Sequence, residues 1–147
     1  MKTTFTIGSI ALLLLVLGCV SESGETNKPS PAVSKPLNPN GDSELALLMR
    51  EMFEDGERMK QDILDGKVPK IGVDYEAVLT AAATEPEKAA SDAYHVFALT
   101  YIETMKAIEK ADSEEAATLY VSMVKTCMDC HTQLCPGPKR RIRKLEM

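Results

Sequence analysis

Two thiols and one imidazole lie within five consecutive residues near the C-terminal end of the sequence, in the segment Cys127-Met128-Asp129-Cys130-His131. Residues three and four positions apart share one face of a helix, so the two sulfurs and the imidazole can face the same partner. Both thiols could then add to the vinyl groups of a porphyrin while the His131 ring meets the iron from the same side. This pattern is typical of covalent haem c attachment. It predicts one haem, anchored by Cys127 and Cys130, with His131 as the proximal iron ligand.

Three other interpretations compete with haem, and one of them is a chance occurrence of the pattern. A thioredoxin-like redox pair needs Cys127 and Cys130 beside a βαβ unit, but the sequence has almost no strand pattern. A structural zinc site needs about four ligands, and only His95 and Cys135 remain as further candidates. The residues therefore favour haem.

The N-terminal residues have the pattern of a secretory signal. The apolar run Ile10–Leu17 is too short to cross a bilayer as a helix. The segment Val16–Cys19 (Val-Leu-Gly-Cys) resembles the lipobox of bacterial lipoproteins, in which cleavage before the cysteine leaves it as a lipidated N-terminus. Residues 1–18 are therefore predicted to be a lipoprotein signal peptide, with Cys19 as the lipidated residue. The alternative is an ordinary apolar segment without lipid.

The next segment, residues 19–41, is rich in Ser, Glu, Asn and Lys and contains four prolines. It has too little apolar surface to offset its ordering entropy, so it is predicted to be a disordered tether that holds a domain off a membrane. Residues 42–147 are predicted to form one domain. The chain is expected to be exported and lipid-anchored to a bacterial membrane. Val20, rather than an acid, after Cys19 favours the outer membrane, facing the periplasm.

Charge is unevenly distributed along the chain. The formal net charge is −5, yet five cations lie in the segment Lys139–Lys144. An acidic body argues against nucleic acid as the main partner. The basic tail could simply complement a helix dipole. It could also contact haem propionates, anionic lipid or an acidic redox partner, and the sequence does not choose among these.

Four cysteines in an exported chain would ordinarily suggest two disulfides. If Cys19 carries lipid and Cys127 and Cys130 carry haem, Cys135 is left unpaired, so a disulfide framework is not expected. Cys135 is then a partly buried apolar residue, an intermolecular disulfide partner or a redox-active thiol.

Helix signals dominate the predicted domain, so an all-α fold is expected. Four helices joined by short links predict an antiparallel four-helix bundle with the haem motif on the C-terminal helix. The capping-box pattern that starts at Asp112 opens the last helix, and Pro136 ends it. The predicted helices cover residues 42 or 43 to 66, about 74 to 83, about 86 to 111, and 112 to 135.

The apolar residues of the first and third helices recur at helical spacing, which predicts the faces that form the core. On the first helix this face is Leu45, Met49, Met52, Gly56, Met59 and Ile63. On the third helix it is Ala90, Ala93, Phe97, Tyr101, Thr104 and Ile108.

With this motif and these helices, residues 42 to about 134 resemble the class II cytochromes c, the cytochrome c-prime family. The resemblance implies a four-helix bundle with the attachment motif on the last helix. It also implies that the first helix carries a residue facing the iron, a glycine four residues on and often a methionine three after that. Met52, Gly56 and Met59 have this spacing. Met52 would then be the distal iron ligand of a low-spin Met/His haem, and Gly56 would relieve crowding beside the haem plane.

A methionine at helical spacing can equally be a core residue. Met49 and Met59 are alternative distal ligands on the same helix. His95 would give bis-histidine ligation, but it lies on the third helix, which does not supply the distal ligand in the family.

The distal residue determines the expected function. A thioether in the sixth position raises the reduction potential and suits electron transfer, whereas an apolar residue there leaves the iron open to small gases. We expect a membrane-anchored protein with one haem that carries single electrons and is not an enzyme. Its partners would be redox proteins that the sequence does not identify. The sequence also leaves open whether the protein forms a homodimer. The alternatives are a five-coordinate gas-binding or gas-sensing haem protein and a non-haem interaction lipoprotein.

Overall fold

The computed structural model describes residues 41–147, whose regular elements are α-helices and short 3-10 helices. These residues contain no strand, so the all-α prediction is confirmed for this part of the chain. The predicted signal peptide, Cys19 and nearly all of the predicted tether lie outside the described residues. The α-helices are α1 (Glu44–Leu64), α2 (Pro86–Ala89), α3 (Asp92–Ile108), α4 (Ser113–Gln133) and α5 (Lys139–Ile142).

Helix α1 begins and ends where its capping residues predict. The hydroxyl of Ser43 accepts a hydrogen bond from the backbone N–H of Ala46 at 3.2 Å, which satisfies one of the free donors of the first turn. At the other end Gly66 has φ +71°, a left-handed conformation that closes helices and that glycine adopts without strain. The residues of the predicted face are all buried or half-buried, with Met59 only 1% exposed.

The second predicted helix is wrong, because the segment forms only the 3-10 helix Tyr75–Leu79. Ala82 pairs instead with the start of α1, where its backbone oxygen accepts from the N–H of Leu45 at 2.9 Å and its own N–H donates to the Glu44 carboxylate at 3.1 Å. Backbone groups that make these long-range bonds cannot also continue a helix.

The third predicted helix is interrupted at Ser91, which caps α3 by accepting from the N–H of Tyr94 at 3.2 Å. The short helix α2 therefore ends at Ala89, and the predicted unbroken span of 86 to 111 is wrong. The buried face of α3 is also rotated from the predicted one, although both include Tyr101 and Ile108. Its buried residues are Tyr94, Ala98, Tyr101, Ile102, Met105 and Ile108.

Helix α4 carries the cysteine motif and packs extensively along α3. Asp112 caps it by accepting from the backbone N–H groups of Glu114 and Glu115 at 3.0 and 2.9 Å, as predicted. The helix ends at Gln133, two residues before the predicted end.

The basic tail folds back onto the body instead of trailing away from it. Helix α5 and the 3-10 helix Arg143–Leu145, together called the C-terminal segment, bury Ile142 and Leu145 to 7% and 3% exposure. The fully buried hydroxyl of Tyr120 lies 3.1 Å from the carbonyl oxygen of Leu145. The segment is thus part of the core. Within residues 41–147, no helix has the length and apolarity needed to cross a membrane.

Candidate functional site

The last turns of α4 place the cysteine motif against two adjoining cavities between helices. The small cavity, of about 40 Å³, is lined from α1, α3 and α4, and the large cavity, of about 410 Å³, extends from it toward α2 and the C-terminal segment. Met49, Tyr94, Cys130 and His131 line both, so the two spaces meet at the motif. The large cavity falls within the range of roughly 300–1,000 Å³ that is usual for ligand and cofactor sites.

Four site residues predicted from the sequence come together at the small cavity. Met52 reaches it from α1, and Cys127, Cys130 and His131 reach it from α4. Tyr101, on α3, lines the same space. Residues separated by about 75 positions in the chain thus share one cavity.

The His131 ring is held in one orientation by the backbone. Its Nδ1 lies 2.9 Å from the carbonyl oxygen of Cys135. A carbonyl oxygen can only accept, so Nδ1 carries the proton and Nε2 keeps a free lone pair. Burial lowers the pKa of His131, against a smaller opposing effect of this hydrogen bond, which favours the neutral ring. A neutral imidazole that is oriented by a hydrogen bond at one nitrogen and has a free lone pair on the other is suited to bind a metal ion.

The motif thiols are protonated at neutral pH. Burial raises the pKa of Cys127 to about 12 and that of Cys130 to about 11. The Cys127 thiol lies 3.8 Å from the Met123 sulfur. Both thiols are free, as is that of Cys135, which is half-buried beside the large cavity. Reactive redox cysteines instead have lowered pKa values in electropositive surroundings, so these thiols do not have the character of a thioredoxin-like pair.

The alternative distal residues occupy different surroundings. Met49 lines both cavities and remains an alternative to Met52. Met59 is buried in the core, while His95 is exposed and packs edge-on against the Tyr94 ring. Neither Met59 nor His95 lines either cavity.

Gly56 does not line the cavities, and the structure gives it a different packing role from the one implied by the resemblance. A Cβ atom at this position would lie 3.2 Å from the Cδ1 atom of Leu145. The absence of a side chain thus allows the C-terminal segment to approach α1 closely.

The sequence analysis did not place Tyr94 or Arg141 on the wall of the large cavity. Tyr94 lies on its wall and donates its hydroxyl hydrogen bond to the carbonyl oxygen of Val78 at 2.7 Å. Arg141, from the C-terminal segment, places its guanidinium carbon 4.4 Å from the centre of the Phe53 ring, a cation–π contact on the cavity wall. The sequence did contain a signal for Tyr94, because a second set of apolar residues on α3, which includes Tyr94, also recurs at helical spacing. For Arg141 the sequence offered contact of the basic tail with haem propionates as one of several roles, without placing this residue on the cavity wall.

The charged residues around the large cavity are few. Arg50 pairs with Asp42 at 2.5 Å, and Lys88 pairs with Glu85 at 2.6 Å. Most of the remaining wall is apolar, with Leu45, Met49, Phe53, Leu134 and Ile142 among its residues.

Among residues 41–147, no three His, Cys, Asp or Glu side chains are grouped so that they could hold a bare metal ion. Comparison of the chain with protein-family models, with characterised proteins and with solved structures found no match. Function must therefore be inferred from the residues around the cavities.

Proposed function

We propose that this protein is a membrane-anchored monohaem c-type cytochrome that carries one electron at a time and catalyses no bond chemistry of its own. The observation that carries the proposal is the meeting of Met52, Cys127, Cys130 and His131 at one cavity between helices. One covalently attached haem c is the proposed cofactor.

The motif residues fit a covalently attached porphyrin. Cys127 and Cys130 are free and protonated, and both line the small cavity one turn apart on α4. They would anchor the porphyrin through thioether bonds. A bound haem supplies an iron that cycles between two oxidation states and brings four nitrogen ligands of its own. The protein therefore needs to provide only axial ligands, not the grouped ligands of a bare metal site.

The axial ligands we propose are His131 and Met52. His131 keeps Nε2 free because Nδ1 donates to the carbonyl oxygen of Cys135, and a hydrogen bond of this kind orients metal-binding histidines and makes them more basic. Met52 extends to the same cavity from α1 and would bind as a neutral thioether. Such a ligand would favour the reduced iron and would hinder the binding of small gases.

The apolar wall of the large cavity supports the same assignment. Side chains such as Phe53 and Leu134 would shield a porphyrin face from water. A dry, low-dielectric environment is one of the means by which proteins tune a haem potential. Tyr94 and Tyr101 would contribute ring surface, and both belong to the buried face of α3.

The bundle arrangement of the class II cytochromes c is part of the proposal. Helices α1, α3 and α4 would be three of its four helices. The 3-10 helix Tyr75–Leu79 contacts both α1 and α3, which supports assigning it to the position of the remaining helix.

The proposed location rests on the N-terminal sequence alone. Residues 1–18 would direct export, and lipid on Cys19 would anchor the domain, through the Pro- and Ser-rich segment that follows, to the periplasmic side of the outer membrane. The redox partners would be other proteins.

Mass and absorption spectra of the full chain, produced in cells with a haem-attachment system, test the proposal. We expect the polypeptide mass plus one haem and a low-spin spectrum. A Cys127→Ala/Cys130→Ala variant should lose the covalent haem, whereas Cys135→Ala should keep it. A high-spin ferrous spectrum that shifts with carbon monoxide would support the gas-binding alternative. A colourless chain with only its peptide mass would rule out both haem hypotheses and would leave the non-haem interaction lipoprotein as the remaining alternative.

A further inference from the structure

The C-terminal segment carries five cations, which together we call the cationic surface: Lys139, Arg140, Arg141, Arg143 and Lys144. Four of them are exposed, and Lys139 is half-buried. Residues 41–138 contain 19 acidic residues against nine Lys and Arg, whereas residues 139–147 contain five cations against Glu146. A body with net charge −10 thus carries a segment with net charge +4.

None of these five cations forms an ion pair in the described part of the chain. Elsewhere in that part, six cations pair with carboxylates, and examples include Arg58 with Asp55 at 2.5 Å and Lys106 with Glu76 at 2.9 Å. The acidic body therefore leaves the cationic surface unneutralised. Desolvated charge pairs across an interface provide specificity and faster association.

The cationic surface is held in place by the core. Ile142 and Leu145 are buried beneath it, and the Tyr120 hydroxyl lies near the Leu145 carbonyl. Lys60 donates to the carbonyl oxygens of Lys144 and Glu146, which ties the segment to α1. Because the backbone of the segment is anchored in this way, it loses little conformational entropy when a partner binds.

The cationic surface also borders the large cavity. Arg141 lines that cavity, together with Gly137 and Pro138 just before α5, and so do Cys130 and His131. A macromolecule seated on the cationic surface would therefore lie close to the motif.

We propose that the cationic surface is the docking site for an acidic redox partner protein, which it brings next to the haem. This inference rests on the proposed electron-carrier function. It selects one of the roles that the sequence left open for the basic tail.

An anionic membrane would also attract this charge, but the structure favours a protein. Membrane-binding helices bury an apolar face in the lipid. In the C-terminal segment the apolar side chains are Ile142 and Leu145, and both face the core of the protein. Met147 is the only exposed large apolar side chain among residues 139–147, so the cationic surface offers charge to a partner without an apolar face to insert.

Binding of the holoprotein to poly-L-glutamate tests the inference. The full chain would carry Cys19→Ser, so that no lipid contributes to binding. The test variant is Arg140→Glu/Arg143→Glu, which changes two exposed cations that do not line the cavities. The matched control is Lys70→Glu/Lys110→Glu, an equal charge change at two exposed positions elsewhere.

We expect binding to weaken on the order of tenfold or more in the test variant and much less in the control, with the wild-type affinity falling as salt is added. Bound poly-L-glutamate should also slow oxidation of the haem by ferricyanide, because it covers the neighbouring cavity. Equal binding by the two variants would overturn the proposal. Capture by phosphatidylglycerol vesicles without binding to poly-L-glutamate would also overturn it, in favour of lipid. A colourless chain that still binds poly-L-glutamate would defeat the proposed function, and with it the redox role of the partner, while leaving a docking site for an acidic protein.

Discussion

The hydroxyl of Tyr120 lies 3.0 Å from the backbone oxygen of Gly56, although the two residues are 64 positions apart in the chain. The same hydroxyl is 3.1 Å from the carbonyl of Leu145. One buried side chain of α4 therefore connects α1 and the C-terminal segment, the two elements that face the motif across the large cavity. This connection allows the basic tail to become a wall of the site.

Replacing Tyr120 with Phe removes this connection while keeping the ring. We expect the free energy of unfolding to fall by about 1–3 kcal/mol, because two buried carbonyl oxygens lose their shared donor. Denaturant unfolding followed by circular dichroism measures the change. Ser122→Ala, which removes an exposed hydroxyl from the same helix, should alter stability by less than about 0.5 kcal/mol. Equal effects in the two variants would mean that the buried hydroxyl contributes nothing.

The distal ligand can be tested by removing its sulfur without changing its size. We expect Met52→Leu to lower the reduction potential of the holoprotein, because a thioether ligand favours reduced iron. Met59→Leu makes the same chemical change in a buried methionine that lines neither cavity, and it should leave the potential unchanged. Redox titration followed by absorbance measures both. If Met49→Leu lowers the potential and Met52→Leu does not, Met49 is the ligand.

Stability should decline at alkaline pH because of buried tyrosines. Burial raises the pKa of Tyr94 to about 12, and burial also raises the pKa values of Tyr101 and Tyr120 above that of a free tyrosine. Below about pH 10, the pKa of tyrosine in the unfolded chain, the phenols stay protonated in both the folded and the unfolded protein, and the full free energy of unfolding is present. Above it the unfolded chain ionises first, so stability falls as pH rises toward the folded pKa. Tyr94 alone should cost on the order of 2 kcal/mol between about pH 10 and pH 12.

Urea unfolding at a series of pH values from about 8 to about 12 checks this expectation, with tyrosinate absorbance as a second readout. The folded protein should show delayed ionisation compared with the urea-unfolded chain. If folded and unfolded protein ionise together near pH 10, the tyrosines are not shielded in solution.

Lipidation of Cys19 has a simple cellular test. We expect Cys19→Ser to release the protein from the membrane fraction, because a single serine cannot carry the lipid. Cys135→Ser is the matched control and should stay with the membranes. Fractionation and immunoblotting distinguish the two outcomes. Retention of the Cys19→Ser protein on membranes would count against the lipobox interpretation.

Features set by residues close together in the chain could be predicted from the sequence. Asp112 caps its helix as predicted, and Ser43, one of the two residues predicted to open the first helix, caps α1, because a side-chain oxygen needs only the N–H groups two or three residues ahead. The common face of Cys127, Cys130 and His131 follows from helix geometry in the same way.

Tertiary structure alone decided the features that depend on distant partners. The second helix stops early because Ala82 bonds to the start of α1. The buried stripe of α3 runs through Tyr94 and Ala98 rather than through Ala93 and Phe97, since two stripes of similar periodicity compete and packing selects one of them. The basic tail becomes a cavity wall because Ile142 and Leu145 find apolar surface on the body. Short-range hydrogen bonds are encoded locally, whereas burial depends on which surfaces the whole chain brings together.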